Sequence, residues 1–166
     1  MYACPVDTPL RRALIVFFRV AMGWTFLYAG TTQLFIEPHW TAATFLAGTK
    51  TFHWLYAPLV GSSLMPLVDF CVKWGHFLIG LSLVSGLMVR VSGVFGIMLM
   101  LVYWTAHLNF PYVGSPLNFL LDEHMVYAGM IAYLMSVRAG HVFGLDGLVE
   151  KISAMENFSF LRPLLR

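Results

Sequence analysis

"LNFLLDEHMVYAGMIAYL", residues 117–134, sets Asp122, Glu123 and His124 side by side in a run otherwise apolar enough to lie in lipid. Its reading decides whether the chain closes a four-helix membrane bundle. A charge held in hydrocarbon costs at least about 2.5–3.5 kcal/mol, so three ionisable groups in a row need a reason.

The rest of the chain supports the membrane reading. Of 166 residues, 59% are hydrophobic, 16% aromatic and only 11% charged, and the mean hydropathy is +0.76. Soluble domains run near 25% charged. The aromatic content suits interfacial anchoring. A formal net charge of +2 is too small to argue for nucleic acid. The two cysteines, Cys4 and Cys71, form no CxxC, CxxCH or zinc pattern, so no covalent haem, thioredoxin-like centre or cysteine-ligated cluster is expected. No GxGxxG or GxxxxGK[ST] occurs. Any electrons must travel on a diffusible carrier or a partner.

A spanning helix needs about 20 mainly apolar residues. Residues 12–34, 66–87, 91–110 and 117–136 qualify, which predicts an all-α integral membrane protein, a single-domain bundle of four transmembrane helices. The first span has no cleavage-site pattern and reads as a retained anchor. Arg11, Arg12, Arg90, Arg138, Lys151, Arg162 and Arg166 fall on one side, and Lys50 on the other. This places both termini in the cytoplasm and the protein in the cytoplasmic (inner) membrane. Gly75, Gly80, Gly86, Gly93 and Gly96 would let the middle helices approach closely. Residues 35–65 read as short interfacial helices, with Pro38 suited to a helix start. The tail, 140–166, reads as amphipathic and interfacial, with Asp146 as cap and Leu148, Ile152 and Met155 as its stripe.

With this orientation, the in-membrane polar groups share the outer half. Asp69, Lys73 and His76 recur at i, i+4 and i+7 on one helix face. Tyr103 and His107 form another such pair, as do Glu123 and Tyr127, while Gln33 and Glu37 close the first span on the same side. Arg19 is the exception, two turns in from the cytoplasm. Structural readings stand beside the functional ones: an Asp69–Lys73 ion pair, acids that suit a helix dipole, an arginine that snorkels. At about 1.5 Å per residue, His76 lies about 15 Å below the outer end, His124 about 9 Å and His107 about 3 Å. No histidine pair is therefore expected to match in depth, and no metal or haem site is expected. Cys71 lies away from the polar face and reads as an inert thiol.

Five pieces together resemble the DoxX/DoxD family of small four-helix membrane proteins, which includes the large subunit of thiosulfate:quinone oxidoreductase. They are "FFRVAMGWTFLYAGTTQL" (17–34), "AGTK" (47–50), "KWGHFLIGLSLVSGLMVR" (73–90), "DEHMVYAGMIAYL" (122–134) and "AGHVFGLDGLVEK" (139–151). The resemblance implies a membrane oxidoreductase subunit in sulfur metabolism that joins two thiosulfates into tetrathionate and passes two electrons to quinone. It implies Asp122, Glu123, His124 and His76 as catalytic proton-handling groups. Lys73, Asp69, His107 and Arg19 would bind the sulfur anion, and Trp74, Tyr103 and Trp104 would form a quinone slot. Quinone is then the diffusible acceptor, and membrane lipid, a second redox subunit and further copies of the chain are the expected partners. Two other functions remain open from the residues. A non-catalytic anchor of a redox complex would pair its polar groups internally. A small anion transporter would use Arg19 and the outer cluster as two ends of a pathway.

Overall fold

A computed structural model describes residues 8–37 and 39–155, with side chains as far as residue 151. Pro38, the side chains of Ile152 and Met155, and Arg162 and Arg166 lie outside the described residues. Helix α1, Pro9–Thr31, starts where Thr8 accepts a hydrogen bond from the Arg11 amide at 3.3 Å and Pro9 opens the first turn. It runs on into a π turn, Thr32–Ile36. Two short helices follow, α2 (Ala43–Ala47) and α3 (His53–Tyr56), packed over the end of the bundle. Then come the long apolar helices α4, Met65–Ser85, and α5, Val89–His107. Gly86, with φ 71°, ends α4 in the left-handed conformation that glycine adopts at low cost.

The stretch from residue 108 departs from the sequence expectation. It is an antiparallel three-stranded sheet of β1 (Leu108–Asn109), β2 (Tyr112–Val113) and β3 (Ser115–Phe119). The helix after it, α6, begins only at Glu123 and ends at Ser136. Its 14 residues rise about 21 Å, short of the roughly 30 Å hydrocarbon core. Among the described residues three helices are long and apolar enough to cross a membrane, and the fourth span is not one of them. The chain is mostly helical, with the small sheet as its exception. Leu117, Phe119 and Leu121 made a strand and its exit look continuous with the helix. Gly114, with φ 65°, and the flanking Pro111 and Pro116 were the turn signals.

Helices α1, α4, α5 and α6 alternate in direction. α1 packs along α4, α4 on α5, and α5 on α6, while α1 meets α6 only sparsely. One end of the bundle carries the sheet and α2–α3, and is called here the hairpin end; the other, where α1 begins, is the termini end. The closest seam is α1 on α4, where a Cβ at Gly80 would run into the Leu27 backbone. Leu83, Ile131, Leu134 and Ala139 are fully shielded at the core. Leu14, Phe17, Phe70, Leu78, Phe95 and Met98 face outward. So continuous an apolar exterior belongs in lipid, and the protein is a multi-pass membrane protein.

The tail helix α7, Leu145–Met155, is present, but Asp146 does not serve it as a cap. Its carboxylate accepts from the Met88 amide at 2.6 Å and the Val89 amide at 3.2 Å, capping α5 instead. Arg19, 2% exposed, donates to the carbonyls of Ala139 (2.6 Å), Val142 (2.9 Å) and Phe143 (3.2 Å). It does not snorkel. It fastens the 139–143 loop to α1.

Candidate functional site

The sparse contact between α1 and α6 leaves a cavity of ≈250 Å³ in the hairpin half of the bundle. Its apolar wall is Phe26, Ala29 and Met100, and its polar wall is Gln33, His76, Tyr103 and His124, with Thr25 and Tyr127 also lining it. Thr25 and the neighbouring Trp24 and Tyr28 face outward on α1, so the cavity lies beside the lipid-facing surface. Phe26 and Ala29 share one face of α1 by their spacing, and Gln33 follows in the π turn. The π turn that follows belongs to a class of distortion found mostly at functional sites.

Every histidine around the cavity is held through Nδ1. His76 donates to the Val72 carbonyl at 2.9 Å and His107 to the Tyr103 carbonyl at 2.9 Å. A carbonyl only accepts, so Nδ1 carries the proton and Nε2 keeps its lone pair. His124 Nδ1 meets Asp122 Oδ2 at 2.6 Å. Asp122 Oδ1 accepts from the amides of His124 (3.1 Å) and Met125 (3.4 Å), capping α6. One carboxylate thus starts the helix and aims the imidazole. Asp122 is 8% exposed, whereas Glu123 beside it is exposed.

The aromatic rings form a continuous column. Phe26 and His76 lie 5.8 Å apart by ring centroids, His76 and Tyr103 5.6 Å, and Tyr103 and His124 5.5 Å. His107 lies 4.9 Å from His124 and 4.5 Å from Phe45 of α2. The expectation that no two histidines share a depth is overturned here. It assumed a span starting at residue 117; with α6 starting at Glu123, His124 sits at the very top of its helix, level with the end of α5.

Other residues singled out in the sequence lie apart from the cavity. Asp69 accepts from the Ala42 amide at 2.8 Å, fixing the start of α2. Lys73 Nζ sits 5.7 Å over the Trp40 ring. The face shared by Asp69, Lys73 and His76 therefore divides, two groups serving the α2 loop and one the cavity. Trp74 faces outward against Phe70 and Phe77. Trp104 Nε1 donates to the Leu120 carbonyl at 3.0 Å and pins the sheet. Arg19 is at the termini end. Of the slot expected from Trp74, Tyr103 and Trp104, only Tyr103 lines the cavity.

Among the described residues three side-chain atoms are buried without a hydrogen-bond partner: Gln33 Oε1 and Thr32 Oγ1 in the π turn, and Arg19 Nε at the termini end; the Gln33 side chain otherwise bonds Tyr103. An unpaired buried acceptor costs about 1–3 kcal/mol and asks for a donor. Asp122, Glu123 and His124 each offer a potential ligand atom, all within 4.8 Å of one another. Asp122 is already committed to three donors, however, and the trio reads as a cap and a buttress for His124. A second space, an apolar groove of ≈700 Å³ between α4 and α5, includes Cys71, Gly75, Leu78, Phe95 and Met98. The thiol is exposed there, away from the polar cavity.

Fold and site define a multi-pass membrane protein with a small mixed polar and aromatic cavity beside the lipid. The chain belongs to the DoxX family, whose model matches residues 14–108, more than half of its length. The match ends at the close of α5, so Asp122, Glu123 and His124 lie beyond it. No curated protein matches the chain, and no solved structure does.

Proposed function

We propose that the protein is a membrane oxidoreductase subunit that passes electrons from a small sulfur anion to quinone, with the quinone head group in the α1–α6 cavity. The observation that carries this reading is a cavity beside the lipid whose hydrogen-bonding groups are left uncommitted: the Nε2 atoms of His76 and His124, and Gln33 Oε1. Its ≈250 Å³ equals about eight waters at roughly 30 Å³ each, the scale of one substituted ring. Tyr103 and Phe26 offer faces for stacking. His124, buttressed by Asp122, is the proton-exchanging group, and Gln33 Oε1 accepts from a quinol hydroxyl.

The same geometry favours a subunit over a self-sufficient enzyme. Among the described residues the cavity wall holds no lysine or arginine, while Lys73 lies over Trp40 and Arg19 bonds carbonyls. A dianion needs cations, so the sulfur anion is oxidised at the hairpin-end surface or on a partner.

The test is thiosulfate-dependent reduction of a ubiquinone analogue by the protein in nanodiscs, alone and with native membranes added. Tetrathionate formed with reduced quinone supports the reading. Activity only with the membranes assigns the anion step to a partner. No reduction under either condition, with folded protein, rejects it.

A further inference from the structure

The cavity is connected to the two ends of the bundle very unequally. Toward the hairpin end stands a short series of protonatable groups. Glu123 is exposed, Asp122 is 8% exposed, and one side-chain ligand atom from each lies within 4.8 Å of the other and of His124. Gaps of that size are closed by one bridging water. The Asp122–His124 contact needs none, at 2.6 Å. An imidazole held at Nδ1 relays by taking a proton on one nitrogen and releasing it from the other, and His124 lines the cavity. His76, Tyr103 and Tyr127 also face the cavity, from α4, α5 and α6, and His107 adjoins His124.

Toward the termini end the interior is filled by Met22, Ile79, Leu83, Met100, Ile131 and Leu134. Leu83 is fully shielded and lies about 10 Å further along α4 than His76. Apolar spaces of this kind stay dry and carry no proton. Below them sits Arg19, buried and spent on the Ala139, Val142 and Phe143 carbonyls, with the Asp146 carboxylate, itself spent on two amides, at the same end.

We infer that the cavity exchanges protons with one face only, through Asp122 and His124 to Glu123 at the hairpin end. The inference rests on the quinone reading and deepens it. Two thiosulfates each give up one electron as a sulfur–sulfur bond forms between them, yielding tetrathionate. Quinone takes those two electrons and two protons to become quinol. Both protons come from water on the hairpin side. If the sulfur anion is also oxidised at that face, turnover moves no net charge across the membrane. Asp122 is then a positioning residue and His124 the group that meets the substrate.

The test uses the full chain in sealed liposomes, with its native membrane partner where turnover requires it. Orientation is sorted by protease access to the termini. The probes are thiosulfate, decylubiquinone, an impermeant pH dye on either face and a voltage dye. Alkalinisation should appear only on the hairpin face, with no voltage signal. Asp122→Asn should lower turnover about 100-fold, the lower range for loss of an acid–base group, while its thermal midpoint holds because asparagine caps helices as well as aspartate. A small buffer acid should restore it from the hairpin face and not from the other. Alkalinisation on the termini face, a voltage signal, or rescue from either face equally would overturn one-sided exchange and leave the quinone reading standing. No quinone reduction by the wild type, with or without partner membranes, would overturn both.

Discussion

At the termini end, Arg19 and Asp146 are buried at 2% exposure each and largely committed to the fold. Arg19 holds three carbonyls of the 139–143 loop, and Asp146 holds two amides at the start of α5. At the hairpin end, His76, His107 and His124 are each committed through one nitrogen and open at the other, and Gln33 Oε1 has no partner. Both ends bury polarity in a lipid-embedded bundle. The difference between them is what remains after the internal bonds are made. Polar groups whose charge is spent on backbone partners fasten loops to helices, even where one donor such as Arg19 Nε is left over; groups with a free lone pair beside a cavity are placed to meet a ligand.

The contrast can be broken from either end. The largest effect belongs to Arg19→Met, which takes three charge-assisted bonds, one of them fully buried, from the 139–143 loop. Loss of one partner from a buried charged network costs about 3–5 kcal/mol, and the thermal midpoint in detergent should fall sharply. An unchanged midpoint would mean that Arg19 is not a fastener. Asp146→Ala should come next, at about 1–3 kcal/mol for stranding the Met88 and Val89 amides. Urea titration in mixed micelles reads this directly, and a loss below 0.5 kcal/mol on that scale would contradict the capping role.

Asp122 tests the opposite end. Asp122→Ala removes the α6 cap and should cost about 1 kcal/mol. Asp122→Asn should keep the stability and lose turnover, separating the cap from the buttress. If both variants lose stability alike and turnover follows folded protein, Asp122 belongs with the fasteners. The smallest effect is expected for Lys73→Met, which removes a cation–π contact of about 0.5–1 kcal/mol at the α2 loop. Quinone reduction should survive it, and its abolition would return Lys73 to the substrate site.

The sequence made the first three membrane helices legible, because twenty apolar residues in a row have few other uses. Asp146 and Arg19 were legible as oddities but not as partners of loops. Their bonds join residues 57 to 124 positions apart, as Asp146 to Val89 and Arg19 to Phe143 show, and no local pattern encodes that. The sheet was hidden because Leu117–Leu121 continues the apolar run of α6. The cavity was half legible. His76, Tyr103 and His124 stood out as polar residues in apolar spans, whereas Phe26, Ala29 and Met100 look like any core residue until α1 and α6 are seen to part. Gln33 was visible at the end of its span, but its unpaired oxygen follows from the π turn and packing around it. Trp74 and Trp104 stand outside the cavity, and aromatic residues near a membrane surface serve as anchors as readily as they line a slot.

The most direct measurement is photolabelling of the protein in nanodiscs with an azido-quinone, followed by peptide mapping. Labels on α1 between Thr25 and Gln33 and on α6 at His124–Tyr127, displaced by unlabelled quinone, are expected. Displaceable labelling confined to the α4–α5 groove around Leu78 and Phe95, with α1 and α6 unmarked, would contradict assignment of the head group to the hairpin-end cavity.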